Sequence, residues 1–250
     1  MTARHIVIAA AFVGGVLSIP RPVDAEAVRV RFQEGVTRAF PVIRSLSGEK
    51  LAQGDLIQVA RGDVVDSRMT FRFADGSLHD EHVVFSQAGV FSLLRYRIVQ
   101  RGPSFPETLD ASIDRERYEV RYRADEESPE QLVTGRITLP ADVYNGMLSL
   151  LLKNLPGSEG AIVQVVAFTP KPRLVKIQLL PLGDDPVLVH DAPLPVTRWA
   201  IRPQLGLFAS LFIADIPDAH CWILPGDAPA FLKAEGPLYF QGPIWRIEPN

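Results

Sequence analysis

The chain has 250 residues, 47% of them apolar and 22% charged, with a formal net charge of −3 and one cysteine. This mildly acidic balance argues against a basic surface for gripping nucleic acid, and a lone cysteine excludes an internal disulfide, so a packed core must hold the fold. The length is sufficient for such a core, because all-β domains of roughly 200–250 residues commonly form one unit.

The first segment reads as a secretory signal peptide. Arg4 and His5 precede an apolar run from Ile6 to Ile19, then prolines, then Val23-Asp24-Ala25, which supplies the small residues a signal peptidase accepts. The run is shorter than the roughly 20 residues of a spanning helix. Cleavage is expected after Ala25, leaving residues 26–250 as a single β-rich domain. No cysteine lies near the cut, so a lipoprotein anchor is not expected, and no later stretch is long and apolar enough to span a bilayer as a helix. The mature chain is therefore expected in the periplasm or outside the cell. Losing Arg4, Arg21 and Asp24 with the leader, two basic residues and one acidic, moves the formal charge from −3 to −4.

From there apolar and polar residues alternate with period two, the pattern of strands with one buried and one solvated face. Leu56 to Ala60 is a first strand. In "DSRMTFRF" Met69, Phe71 and Phe73 oppose Thr70 and Arg72, and Asp75-Gly76 signals a tight turn into Leu78 to Ser86. Val90 to Gln100 and Leu109 to Asp114 follow. In "RYEVRYRA" Tyr118, Val120 and Tyr122 share a face, and Leu132 to Leu139 is the next strand.

One segment departs from this pattern. From Pro140 to Leu155, Val143, Tyr144, Met147, Leu148, Leu151, Leu152 and Leu155 recur at helical spacing, with Pro140 suited to a first turn and Pro156 to a stop. The wide apolar face predicts a helix buried on the concave side of a curved sheet. Strand patterning resumes at Ala161 to Phe168, Leu174 to Pro181 and Thr197 to Arg202. The apolar "QLGLFASLFIADIP", with Leu205, Leu207, Phe208, Leu211, Phe212 and Ile213, is either a core element or a greasy lip on an opening. His220 to Leu224, Ala230 to Glu235 and Pro243 to Glu248 complete the set, separated by turn signals at Pro225-Gly226-Asp227 and Gly236-Pro237.

The densest chemistry is His79-Asp80-Glu81-His82. On a strand, side chains alternate faces, so His79 and Glu81 point one way and Asp80 and His82 the other, and the four cannot converge on one ion. By the same rule Cys221 and Ile223 face the core and His220 and Trp222 the opposite side, so no Cys-His nucleophile forms. Nucleophile-elbow, phosphate-loop and zinc-protease signatures are absent from the sequence, and no catalytic residue, metal or cofactor is assigned. Two loops display aromatic rings: Phe105 stands between two prolines, and the last hairpin gathers Phe231, Leu232, Tyr239, Phe240 and Trp245.

The segments "FRFADGSLHDEHVVFSQAGVFSLL", "QRGPSFPETLDASID", "LPADVYNGMLSLLLKN" and "APAFLKAEGPLYFQGPIWRIE" resemble those of a group of exported bacterial β-rich proteins of unknown function, over most of the chain from about Val59 onward. The resemblance implies matches at Asp75, Asp80 and Glu81 and an acidic residue in place of His79, which moves attention from the histidine to the carboxylates. In architecture alone, a long meander interrupted by one helix and closed by an aromatic hairpin is similar to the half-open barrels of periplasmic lipoprotein carriers, and fold does not fix function.

The expected fold is mostly β: a strongly curved antiparallel sheet or open β-barrel with one helix on its concave side. The expected function is a secreted periplasmic binding or carrier protein for a hydrophobic, lipid-like ligand. Phe105, Tyr144, Leu148, Leu207, Phe208, Phe212, Phe231, Tyr239 and Trp245 would contact that ligand, and Asp75, Asp80 and Glu81 are the polar candidates. The alternatives are a cell-envelope interaction or assembly module with no small ligand, and an enzyme using Asp80 and Glu81. Expression in a secreting bacterial host should yield a mature polypeptide beginning at Glu26, as read by intact mass and N-terminal sequencing; retention of residues 1–25 would contradict the leader assignment.

Overall fold

The computed structural model describes residues 27–114, 116–125, 127–169, 171–189, 192–204 and 217–250. The leader, His190 and the apolar positions Leu205 to Ile213 lie outside them.

Two short strands, β1 (Thr37–Ala39) and β2 (Pro41–Arg44), lead into a meander of β3 (Lys50–Arg61), β4 (Val64–Phe73), β5 (Leu78–Ser86), β6 (Ser92–Arg101), β7 (Thr108–Asp114), β8 (Arg117–Arg123) and β9 (Gln131–Arg136). After the helix α1 (Leu148–Asn154) come β10 (Ala161–Thr169) and β11 (Lys171–Asp184). A small hairpin of β12 (Val187–Val189) and β13 (Ala192–Leu194) precedes β14 (Thr197–Gln204), β15 (Ala219–Leu224), β16 (Ala230–Gly236) and β17 (Trp245–Pro249).

Successive strands pair antiparallel within each half, except that β1 pairs with β3 and β11 with β14 across the separate β12–β13 hairpin, and β17 pairs with β2, with Ile247 opposite Ile43. The two meanders thus join into one large sheet with β9 and β10 as its ends, a barrel-like surface that does not close. The expected fold class is what is found. The hairpin across Asp75-Gly76 is also as read: β4 and β5 pair from Arg72 opposite Leu78 onward, with Gly76 at φ 87° where a left-handed residue is needed.

The helix is shorter than its sequence period implies. It begins at Leu148 rather than Pro140, because the residues before it are drawn to the free edge of β10. Gln164 N–H donates to Asp142 C=O at 2.8 Å and Gln164 C=O accepts from Tyr144 N–H at 2.9 Å. The Asn145 side chain then acts as a strand residue would: its Oδ1 accepts from Val166 N–H at 2.7 Å and its Nδ2 donates to Val166 C=O at 2.8 Å. Gly146 follows at φ 69°, packed so closely that a Cβ there would lie 3.3 Å from Glu81 and Tyr96.

Of the predicted apolar face Val143, Tyr144, Met147, Leu151 and Leu152 are buried and Leu148 and Leu155 half-buried, while Leu150, outside that face, is buried as well. Leu150, Leu151 and Leu152 pack with Val65, Val83 and Phe85 from one meander and Leu179, Trp199, Cys221 and Ile223 from the other. The N-terminal segment closes over this core: Val28 N–H donates to the Tyr144 hydroxyl at 2.9 Å, and Arg31 and Phe32 N–H both donate to Asn154 Oδ1 at 2.8 Å. Lys153 of α1 pairs with Glu34, which also accepts from Gln58 at 3.0 Å. Further along the same face Phe71, Phe73, Phe105 and Trp245 form a second core with Ile43 and Ala52.

Leu151 is fully buried whereas Leu132 is 57% exposed. Leu151→Ala should destabilise the chain by about 2–5 kcal/mol in urea unfolding, and Leu132→Ala should stay within about 0.5 kcal/mol of the wild type.

Candidate functional site

Asp75, Asp80 and Glu81 do not converge. Asp75 belongs to the β4–β5 turn, where its Oδ1 accepts from Ser77 N–H at 2.9 Å and its Oδ2 from the Ser104 hydroxyl at 2.7 Å, stapling that turn to the β6–β7 loop. Desolvation by its neighbours would raise the pKa of this exposed carboxyl, but the hydrogen bonds from Ser104 and Ser77 outweigh this and hold it below the usual range.

Register places the other two on opposite faces. Asp80 lies opposite Thr70 on the outer face, and Glu81 lies opposite Met69 on the concave, helix-bearing face. Asp80 accepts two parallel bonds from Arg68, both 2.8 Å, and a third from the Thr70 hydroxyl at 2.6 Å. Burial alone would raise its pKa, but the bonds from Arg68 and Thr70 and the charges of Arg68 and Arg97 win, and it stays lowered. This bidentate pair is one rung of a polar ladder that continues with the His82–Asp66 hydrogen bond and the Arg97–Asp110 ion pair. Each group is already occupied, so the outer row has the character of a sheet brace.

On the concave face Gln100 Nε2 lies 3.0 Å from His79 Nδ1 and donates to Leu238 C=O at 2.8 Å. The amide is the donor, which assigns the His79 proton to Nε2. His79 stacks on Phe105 at 6.3 Å and is buried. Burial pushes its pKa down, against the pull of Glu81 and Asp80. Two residues on, Glu81 accepts from the Tyr96 hydroxyl at 2.6 Å, and Tyr96 lies parallel to Phe168 at 6.2 Å. Burial, then the Glu81 charge and the hydrogen bond to it, push the Tyr96 hydroxyl well above its ordinary value. Asp80 and Glu81 therefore cannot share a substrate across the sheet. Among the described residues no group of three or more His, Cys, Asp or Glu gathers as a metal site requires.

Tyr96, Gln100 and Asn145 are the partners sequence reading missed. Tyr96 and Gln100 share the inward parity of β6, but a register shift between Val84 and Phe85 intervenes, so turn signals alone do not place them against Glu81 and His79.

The aromatic candidates mostly serve the core. Phe105 does not rim an entrance: it is 7% exposed, edge-on to Phe73 at 5.5 Å, Tyr239 at 5.7 Å and Trp245 at 6.3 Å. Three edge-to-face partners outweigh the pull of its exposed prolines. Tyr144 and Trp245 are buried, while Leu148, Phe231 and Tyr239 are half-buried against the cores. Leu207, Phe208 and Phe212 lie outside the described residues. Cys221 is buried, and burial pushes its thiol up to about 12, so it is not a nucleophile.

A cleft of about 150 Å³ opens between the N-terminal segment, α1 and β14, lined by Arg31, Phe32, Lys153, Thr197, Trp199 and Ile223 among others. An open groove of about 520 Å³ runs over β7–β9, lined by Asp114, Arg117, Tyr118, Glu119, Gly135 and Arg136 among others. No described helix is long and apolar enough to cross a membrane.

No family model matches the chain, and no curated protein matches it. Among solved structures it is similar to a β-barrel-like protein of the domain of unknown function DUF1849 from Brucella abortus. The two are 11% identical, with 89% of this chain and 97% of that chain covered at a TM-score of 0.45.

The unfolded chain protonates His79 near pH 6.5, while the folded chain holds it neutral to lower pH. The unfolded state thus binds more protons below about pH 6.5, and stability should fall as pH drops through that range. Asp80, whose folded pKa is also lowered, should add a second loss below about pH 4. Urea midpoints measured across pH should show both limbs, and His79→Gln should shrink only the first, to which His220, its pKa lowered by partial burial and the Arg198 charge, also contributes.

Proposed function

We propose that the chain is an exported, non-enzymatic interaction module of the cell envelope, engaging protein partners through its sheet rather than holding a small molecule inside. The supporting observation is the filled concave face. There α1, the N-terminal segment and two apolar clusters occupy the space a carrier would leave open, and the described clefts are either small or walled by charged groups. Pocket-bound ligands need roughly 300–1,000 Å³ of mostly apolar lining. Asp80 and Glu81 are both engaged and face apart, which disfavours an acid–base enzyme. Placement outside the cytoplasm rests on residues 1–25.

A periplasmic carrier for a hydrophobic, lipid-like ligand is the second reading. One row of the concave face favours it: Leu56, Met69, Glu81 and Ile98 are cross-strand neighbours and remain half-buried between the two cores. An acyl chain laid along that row would meet apolar side chains with one carboxylate among them. Native mass spectrometry of the mature protein, purified without detergent from an envelope fraction, separates the readings. The bare polypeptide mass is expected; a stoichiometric lipid adduct would replace the first reading with the second.

A further inference from the structure

The sheet treats its two ends differently. At β10 the backbone groups of Gln164 and Val166 that face away from β11 are taken up by Asp142, Tyr144 and Asn145. At β9 nothing comparable is present among the described residues. Arg136 of β9 lies opposite Arg117 of β8, and the next N–H, Ile137, donates to Glu116 C=O at 2.8 Å. Hydrogen-bonded and non-bonded pairs alternate along an antiparallel ladder. Gln131, Val133 and Gly135 therefore bond to β8, and Leu132, Thr134 and Arg136 turn their N–H and C=O outward. The side chains of Leu132, Thr134 and Arg136 are exposed as well. Natural edges are usually blunted by proline, lysine, a bulge or a cover; β9 reads Gln-Leu-Val-Thr-Gly-Arg and pairs with β8 in unbroken register.

We propose that β9 is an interaction edge for a second copy of this chain, pairing antiparallel with its counterpart about a twofold axis through Val133. This deepens the interaction-module reading and rests on it. Charge selects the register. With Val133 opposite Val133, Leu132 stands opposite Thr134 and Glu130 opposite Arg136, at both ends and on the same outer face. The leading even-numbered alternatives place Thr134 or Leu132 on the axis and leave Glu130 opposite a neutral residue. Twofold symmetry makes such a contact self-complementary, and opposite charges directly across strands favour the pair. Within one copy, among the described residues, Arg136 and Glu130 pair with the exposed Glu116 at 3.4 Å and Arg121 at 3.8 Å, contacts that are readily exchanged.

The test is a cysteine scan of the mature chain under mild oxidation, run beside sedimentation velocity. Val133 would be a non-hydrogen-bonded pair with itself, Cα atoms about 4.5 Å apart, within disulfide reach. Positions 132 and 134 would each sit two residues out of register from their symmetry mates, on the order of 8 Å apart and out of reach. Native Cys221 is buried and does not compete. The expected result is a dimer in which Val133→Cys cross-links at least tenfold faster than Leu132→Cys or Thr134→Cys. Glu130→Arg should weaken the dimer, and Glu130→Arg with Arg136→Glu should restore it. A strictly monomeric chain, or cross-linking led by position 132 or 134, overturns the proposal. A monomer with a bare mass overturns self-pairing alone, whereas a monomer carrying a lipid overturns the interaction reading too.

Discussion

Four backbone groups at one edge of the sheet govern the arrangement of the rest. A sheet that does not close leaves β10 with N–H and C=O groups on Gln164 and Val166 that have no strand beside them, and burying them unpaired would cost about 1–3 kcal/mol each. The segment after β9 meets that demand with two of its own backbone groups, one carbonyl of Asp142 and one N–H of Tyr144, and with the amide of Asn145. Once those residues are held there, Gly146 turns the chain inward and α1 has one place to go, the concave face. The helix in turn presents Asn154 and Lys153 to the N-terminal segment. Edge, plug and closure form one connected chain of causes.

The polar residues follow the parity of the strands. Asp80 and Glu81 are neighbours in sequence and strangers in space, one gripping Arg68 and Thr70 on the outer face, the other Tyr96 within. The arrangement resembles a bolt through a plate: each head is fastened to what lies on its own side. His79, neutral and wedged between Gln100 and Phe105, extends the inner fastening toward the aromatic core.

Much of the fold was legible because period-two alternation is a local signal. The β4–β5 hairpin, the inward face of β8 and the burial of Cys221 were all readable from it. The edges of that legibility are physical. Pro41 to Arg44 has too few residues to show a period, and it becomes a strand only because β17 and β3 flank it. The helical spacing of Val143, Tyr144 and Met147 was real, yet it reports which side chains face the core, and a chain bonded to an edge strand can face the core without being helical. Phe105 looked like a displayed ring because its partners, Tyr239 and Trp245, lie more than a hundred residues downstream. The Glu81–Tyr96 bond required knowing a bulge that no turn residue announces.

The junction of β17 with β2 places the last strand beside one of the earliest in the middle of the sheet, and Arg44 is bonded to Glu248 across 204 positions. Each meander can fold from local hairpins, but their common seam waits for residues near the end of the chain, and contacts of such long range are the slow ones to form. Until the last strand arrives, the chain is two half-sheets with raw edges facing each other. Shortening the C-terminus would accordingly not fray a rim; it would split the sheet along its midline.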